Sequence, residues 1–407
     1  MIKTTNFAKG QHVIYVLIYF MISTIIKYAL RNMGIEGANT IFSFINVGII
    51  FIIFISQLFL KKNKLTVEKI VSLVILLSSL IFTLLSKGFL SSILAVGINL
   101  FLLYTAFIAD DLILDSSYLA KICKLVVVFA LGVILFSIIK DKPFSQLIGL
   151  KNAYHFSFMG IWNSKNQFGR FLFCSAACNF YIIVFNLKNK KSFLFYLGTL
   201  VAISVCILLT FSRAALLSYV VFCLVFILLY NRKRFITNFF IITFLILVWL
   251  ILNRIEFVSN FINSIVLRTD TATIDNRSVL WKIGLYYFQN HIFIGSGEYM
   301  AESILKASGS QITEFHNAYI NRLVVSGLIV FGLYVFLFFK RFVLMIKRIK
   351  SPYIVICLAL FFGILAYMFF ESFEIYTFSL DSFIVMIFLY LIPNSIYGKR
   401  NNLQTHN

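Results

Sequence analysis

The chain has 407 residues, of which 61% are hydrophobic and 13% are charged, and its formal net charge is +21. Its mean hydropathy is +0.94. This composition supplies too little polar surface for a water-soluble globule, so it excludes a soluble enzyme and predicts an integral membrane protein. The 48 Phe and 3 Pro residues favour long uninterrupted helices, because a backbone in hydrocarbon must satisfy its hydrogen bonds within its own segment.

Apolar stretches of about 17 to 22 residues predict an all-α polytopic protein with about twelve transmembrane helices, forming one integral membrane domain. That domain covers residues 1–407. In chain order, the predicted spans are 13–30, 41–60, 68–86, 89–108, 122–139, 166–186, 193–210, 214–230, 235–253, 317–339, 353–370 and 380–397. The first span lacks a small-x-small cleavage site, so we expect it to remain as an uncleaved anchor.

Lysine and arginine residues mark alternate connections between these spans. Basic clusters at 61–69, 188–191, 232–234 and 340–350 all fall on one side of the predicted membrane. By the positive-inside rule this side is the cytoplasm, and both termini lie there. The net charge is therefore mainly a topology signal. A nucleic-acid partner is not expected, because no basic segment interleaves with aromatic residues in a water-exposed domain.

The six cysteines all fall inside predicted spans, where they are interpreted as small buried apolar residues. Cys174 and Cys178 share one helix face, but no His or acidic residue stands beside them. We therefore expect helix packing at this position and no metal site.

The connection at residues 254–316 is too long to be a passive link in a compact membrane protein. Helical apolar spacing recurs at 255–266 and again at 279–287. It predicts two helices lying in the membrane interface, with a packed lid over the helix bundle as the alternative. We expect this external loop to fold and to form part of the active site.

Several motifs in and beside this loop resemble the O-antigen ligase and Wzy-type polymerase family. They are Asn-Arg-Ser-Val-Leu-Trp at 276–281, His-Ile-Phe-Ile-Gly-Ser-Gly at 291–297, and His-Asn-Ala-Tyr at 316–319 before a helix with Gly327 and Gly332. Two upstream segments are similar to the same family, Asn-Ser-Lys-Asn-Gln-Phe-Gly at 163–169 and Phe-Ser-Arg-Ala-Ala-Leu at 211–216. The resemblance covers about residues 160–335.

This resemblance implies a membrane glycosyltransferase of the bacterial plasma membrane that needs no cofactor. Its implied substrate is an undecaprenyl-pyrophosphate-linked glycan, used on the outer face in capsule, exopolysaccharide or O-antigen synthesis. Besides membrane lipids, its expected partners are a flippase and a chain-length regulator. A polymerase that joins repeat units is the leading hypothesis, and a ligase that moves finished glycan to a lipid or protein acceptor is the close alternative. A lipid-oligosaccharide flippase or transporter is the rival from another class, and it would favour inverted repeats and broken mid-membrane helices.

The chemistry of the reaction indicates which residues to expect in the site. A pyrophosphate leaves without a proton if cations neutralise its charge, whereas the attacking sugar hydroxyl needs a base. We expect His316 to be this base, kept neutral by the dipole at the start of the tenth span. Arg213 and Arg277 are expected to be the catalytic cations.

Other residues of the motifs are expected to bind substrate. An arginine in the first turn of a helix opposes the local dipole, which is explained by a bound anion or by snorkelling to lipid headgroups. Glu371, Glu374 and Asp381 form an external acidic patch that either holds the acceptor or pairs with the loop arginines. The expected substrate-binding residues are Arg170, Lys165, Asn166, Trp281, Gly295, Gly297, Asn317 and Tyr319.

Overall fold

The computed structural model describes residues 2–35, 45, 48–49, 51–52, 55, 65–87, 99–109, 112–143, 158–186, 189–230, 277–297, 300–309, 314–373, 375–377 and 379–396. Within these ranges the chain forms helices and no strand, which confirms the predicted all-α class. The helices are α1 (Ile2–Asn32), α2 (Val67–Lys87), α3 (Asn99–Ile108), α4 (Ser116–Asp141), α5 (Lys165–Phe185), α6 (Lys190–Leu209), α7 (Arg213–Tyr230), α8 (Arg277–Asn290), α9 (Met300–Ala307), α10 (Ala318–Ile346), α11 (Pro352–Phe370) and α12 (Leu380–Ile396).

Eight of these helices, within the described part of the chain, are long and apolar enough to cross a membrane. They correspond to eight predicted spans, and the shorter α3 and α12 fall in the fourth and the twelfth. The predicted span at 235–253, most of the one at 41–60 and the predicted loop helix at 255–266 lie outside the described residues. The second predicted loop helix, at 279–287, is confirmed as part of α8.

The helices divide into two compact units. Unit 1 contains α1 to α3, α8, α9, most of α10 and the chain from Met368 onward. Unit 2 contains α4 to α7 and most of α11.

Aromatic packing and polar contacts between distant helices stabilise unit 1. The ring of Phe20 on α1 lies 6.4 Å from that of Phe101 on α3 and 5.6 Å from that of Phe383 on α12. Tyr334 on α10 donates a 2.7 Å hydrogen bond to Asn99, whose amide donates to Ser79 on α2 at 2.9 Å. Because a membrane interior offers no water, these buried polar groups must find each other, and they fix how α2, α3 and α10 pack.

A charged cluster joins the start of α2 to α10. Glu68 accepts from Lys340 at 2.5 Å and lies 3.5 Å from Arg341, whose guanidinium lies 3.9 Å from the ring centre of Tyr390. The buried carboxylate is thus neutralised by two cations and shielded by an aromatic face. The contact sets the start of α2 and the later part of α10 side by side.

Helix α5 forms the core of unit 2. Phe168, Phe171 and Phe173 are completely buried, and the helix packs against α4, α6 and α7. Gly363 of α11 lets that helix approach closely, since a Cβ there would lie 2.6 Å from the Phe173 ring. The described cysteines are free thiols, and all but the half-buried Cys223 are buried, in agreement with their interpretation as packing residues.

Candidate active site

A carboxylate in unit 1 joins two of the residues expected to be catalytic. Arg277 Nη2 donates to Glu371 Oε1 at 2.9 Å, and His316 Nδ1 lies 3.4 Å from Glu371 Oε2. The Glu371 side chain is 10% exposed. Because little water surrounds the carboxylate, its interactions with the guanidinium and the imidazole are screened less than at an open surface. The three side chains therefore form a connected Arg277–Glu371–His316 triad.

The ends of three helices place this triad. Arg277 is the first residue of α8, Glu371 directly follows the last residue of α11, and His316 stands two residues before α10. A cation at a helix N-terminus and an anion at a helix C-terminus both oppose the helix dipole. Their mutual ion pair compensates for that unfavourable placement. The acidic patch noted in the sequence thus pairs with a loop arginine through Glu371, whereas Glu374 lies outside the described residues.

The pKa of His316 is raised from its ordinary value. Its hydrogen bond to Glu371 is the main cause, and it outweighs the opposing effect of burial. The helix dipole was expected to keep this ring neutral, whereas the neighbouring carboxylate shifts its pKa in the opposite direction. Since a carboxylate only accepts, Nδ1–H donates to Glu371 and leaves Nε2 with the lone pair that can accept a proton.

His316 adopts a backbone conformation that is unusual for a residue other than glycine, with φ of 50°. Such left-handed backbone costs about 1–3 kcal/mol and persists where the surroundings enforce it. Here the residues on both sides of His316 are anchored. The Phe315 carbonyl accepts a 3.0 Å hydrogen bond from Trp281 Nε1, and Asn317 Oδ1 accepts from the backbone N–H groups of Tyr319 and Ile320.

These contacts give Trp281 and Asn317 positioning roles in the structure. The Trp281 ring packs edge-on against Phe369, with 5.5 Å between ring centres, and Asn317 Nδ2 donates to the Phe369 carbonyl at 3.0 Å. Asn317 therefore caps α10, and it ties the helix start to the end of α11. Both residues orient the backbone of His316, and neither needs to contact a sugar to do so.

The loop glycines Gly295 and Gly297 lie against helix α10. Gly295 and Gly327 have φ of 73° and 69°, and a Cβ on Gly295 would lie 2.4 Å from the Gly327 nitrogen. Gly327 interrupts α10, and the carbonyls of Val324 and Val325 accept from Ser296 N–H at 2.8 Å and Gly297 N–H at 2.9 Å. Loop backbone therefore supplies the hydrogen bonds that the break removes, which a membrane-embedded helix requires. These glycines, expected to bind substrate, thus make their close approach to α10.

The remaining expected residues lie in unit 2, at the start of α5. Ser164 caps this helix by accepting from Gln167 N–H at 3.2 Å. Tyr367 donates to the Asn166 carbonyl at 3.0 Å, and the Arg170 guanidinium lies 5.6 Å from the ring centre of the same tyrosine. Tyr367 thus holds the first turn of α5, which also carries Lys165.

Arg213 begins α7, close to the first turns of α5. Ser212 Oγ accepts from Ala215 N–H at 3.3 Å, which makes Ser212 the cap of α7. A Cβ on Gly169 would lie 2.8 Å from Ala215 Cβ and 3.2 Å from Ser212 Cβ, so the starts of the two helices touch. Two positive helix ends and the residues Arg170 and Arg213 therefore concentrate positive charge in one part of unit 2, a setting that favours anions.

The sequence did not reveal two features of unit 1. The sequence could not decide whether Glu371 holds the acceptor or pairs with a loop arginine, because its partner Arg277 is 94 residues away in the chain. Arg322 was not singled out, although an arginine inside an apolar span is a signal of function. It is buried on α10, one helical turn beyond Ala318.

Residues 198–335 match the family model described as O-antigen ligase (Wzy_C). The matched range contains Arg213, Arg277 and His316, and it ends before Glu371. A comparison with curated proteins gave no match. The family match supports the O-antigen ligase/Wzy-type family that the motifs resemble, and it indicates a membrane enzyme of glycosyl transfer that acts on lipid-linked glycan.

Proposed function

We propose that this protein of the O-antigen ligase/Wzy type is a glycan polymerase of the bacterial plasma membrane. It joins undecaprenyl-pyrophosphate-linked oligosaccharide repeat units on the outer face of that membrane, in the synthesis of capsule, exopolysaccharide or O-antigen. The observation that carries the proposal is the Arg277–Glu371–His316 triad, since it supplies the oriented base that a sugar hydroxyl requires.

In the proposed reaction the hydroxyl oxygen of the acceptor attacks the anomeric carbon of the donor glycan. His316 Nε2 takes the hydroxyl proton, and Glu371 stabilises the imidazolium that forms, as a carboxylate does beside a catalytic histidine. The bond from the anomeric carbon to the diphosphate oxygen breaks, and undecaprenyl pyrophosphate leaves with the bonding electrons. No protein–glycan bond is formed.

The cations have distinct parts in this proposal. Arg213 and Arg170, beside two helix N-termini, offer charge to the leaving diphosphate. Arg277 holds Glu371 and so positions the base. Fixed cations take the place of a metal ion, so membranes treated with EDTA should keep their activity.

Two alternatives have specific support. The matched family model is described as a ligase, which favours transfer of finished glycan to a lipid or protein acceptor. The transporter alternative is favoured by the interruption of α10 at Gly327, because transporters often contain transmembrane helices that are broken within the membrane. At this break, however, the Val324 and Val325 carbonyls are bound by loop N–H groups, which favours a structural reason for the break over a transport site.

The test uses purified protein in lipid nanodiscs, supplied with its lipid-linked repeat unit as the sole glycan. A polymerase makes a ladder of longer lipid-linked glycans and releases undecaprenyl pyrophosphate. His316→Ala should lower the rate by about 10²–10⁴-fold, whereas His291→Ala, at an exposed histidine of the same loop, should not. If product forms only after a separate lipid or protein acceptor is added, one glycan per acceptor, the ligase alternative replaces the polymerase.

A further inference from the structure

The turn that follows α8, residues 291–297 of unit 1, is hydrogen-bonded to α10 through its backbone. The Leu328 N–H of α10 donates to the Ile292 carbonyl at 2.7 Å. In the opposite direction, the Val324 and Val325 carbonyls accept from N–H groups of the turn at 2.8 and 2.9 Å. Hydrogen bonds in both directions therefore fix the turn at one level along α10.

This level lies within the thickness of the hydrocarbon of a bilayer. Helix α10 is long and apolar enough to cross a membrane, and its apolar stretch ends at Lys340 and Arg341. Residues 324–328 stand 12 to 16 residues before Lys340, which is about 18–24 Å along a helix that rises about 1.5 Å per residue. Since the hydrocarbon is about 30 Å thick, the contact lies about 6–12 Å inside its opposite boundary. A tilt of the helix places the contact deeper.

The side chains at the tip of the turn are apolar and exposed. They are Ile292, Phe293 and Ile294, and Phe293 is 64% exposed. Leu328 and Ile329 of α10 are exposed as well, the second at 60%. The hydrogen bond between Ile292 and Leu328 joins the two groups, so the five side chains form one uncharged apolar surface. A surface that continues onto a membrane-crossing helix is covered by the medium around that helix, which is lipid.

Polarity changes abruptly where the chain enters this turn. Gln289, Asn290 and His291 are exposed polar residues, and the three residues that follow them are exposed and apolar. In water, three consecutive exposed apolar side chains are unfavourable. At the boundary between lipid headgroups and hydrocarbon, the same order from polar to apolar is expected.

A turn can enter hydrocarbon only if its backbone polar groups find partners in the protein. Gly295 N–H donates to the His291 carbonyl at 3.0 Å within the turn, and the next two N–H groups donate to α10. The turn thus places polar backbone against α10 and apolar side chains outward. This is the arrangement that a re-entrant segment requires.

We propose that residues 291–297 form a re-entrant turn, with the Ile292, Phe293 and Ile294 side chains among the acyl chains of the membrane lipids. The turn anchors the loop between Arg277 and His316 at a fixed depth in the membrane. This inference goes beyond the proposed function and does not depend on it, since it concerns the contact of the loop with lipid and not the reaction.

Spin labels in lipid nanodiscs test the insertion directly. Single cysteines are placed at Phe293, at Ile329 as the lipid-facing reference, and at Ala307, an exposed residue beside the Lys306–Glu302 ion pair, as the water-facing reference. The background is Cys223→Ala, because the other native cysteines are buried. Molecular oxygen concentrates in hydrocarbon, whereas a hydrophilic nickel chelate stays in water. We expect the label at Phe293 to collide mainly with oxygen, as at Ile329, and the label at Ala307 mainly with nickel.

Two results of this measurement would overturn the proposal. Collisions with nickel as frequent at Phe293 as at Ala307 would show that the turn lies in water. Protection of the Phe293 label from both reagents would show that protein covers the turn, either a second copy of the chain or another segment of it.

Substitutions at Phe293 give an independent measurement. Phe293→Asp should lower the thermal unfolding temperature in nanodiscs, because a carboxylate in hydrocarbon is costly, and Ile329→Asp should lower it in the same way. Phe293→Leu should stay near the wild-type value. Equal unfolding temperatures of Phe293→Asp and Phe293→Leu would contradict insertion. If Phe293→Asp fails to fold, the spin label at Phe293→Cys decides. Neither measurement uses a glycan, so a failure of the polymerase proposal is distinguishable from a failure of this one.

Discussion

His316 Nδ1 faces Glu371 Oε2 across 3.4 Å, and this contact sets both the orientation and the basicity of the proposed base. A carboxylate that accepts from Nδ1–H leaves Nε2 available to the substrate and stabilises the ring once it is protonated. Glu371 therefore determines whether His316 can act as a base, although it need not contact the glycan.

Replacement of Glu371 should change the pH profile as well as the rate. His316 acts in its deprotonated form, so kcat/KM should rise as pH passes upward through its pKa. Glu371 raises that pKa, so Glu371→Gln should move the rise to lower pH and lower the maximal rate roughly tenfold or more. The matched control is Glu302→Gln, at an exposed acid paired with Lys306. An unshifted profile in Glu371→Gln would show that this contact does not govern the base.

Arg277 should tolerate lysine poorly. Its planar guanidinium donates to Glu371, and a lysine ammonium at the end of a flexible chain cannot reproduce that geometry. We expect Arg277→Lys to keep less than about a tenth of the wild-type turnover, and Arg277→Ala less still, at normal expression levels. Lys282→Ala, on the exposed face of the same helix, is the control. Full activity of Arg277→Ala in the ladder assay would show that the reaction does not require Arg277.

A methyl group at Gly327 should destabilise the protein. The residue has φ of 69°, and a Cβ would lie 2.5 Å from the Gly295 nitrogen. Left-handed backbone alone costs a non-glycine residue about 1–2 kcal/mol, and the overlap adds to it. Gly327→Ala should therefore lower the thermal unfolding temperature in detergent. Gly332→Ala is matched on the same helix, where a Cβ meets open space, and should be neutral or slightly stabilising. Equal unfolding temperatures would contradict the observed packing of the loop against α10.

Arg213 should affect turnover through charge. If it neutralises the leaving diphosphate, Arg213→Ala should lower kcat by about 10²–10³-fold, as the loss of one stabilising donor does elsewhere. Arg213→Lys should retain part of the rate, because the charge remains. Lys191→Ala, at an exposed lysine of the neighbouring α6, serves as the control. A change in KM with kcat unaffected would instead assign Arg213 to ground-state binding.

The orientation follows from the distribution of basic residues and can be tested by reporter fusions. Fusions at Lys62, Lys190, Arg232 and Lys347 should report the cytoplasm, and one at Ser308 the outside. A cytoplasmic signal at Ser308 would place the triad's loop on the wrong side for a reaction at the outer face.

The sequence by itself determined the all-α membrane class, the position of most described helices and the motif residues around His316. These properties are local, because hydropathy and helix-end chemistry depend on neighbours along the chain. Tertiary structure alone decided the partners of those residues. Arg277 and Glu371 are 94 residues apart, and His316 and Glu371 are 55 apart. Gly295 meets Gly327 because loop backbone must fill a break in α10. Hydropathy does not encode such contacts between distant segments, since they arise only when buried charges and freed backbone groups find partners away from water.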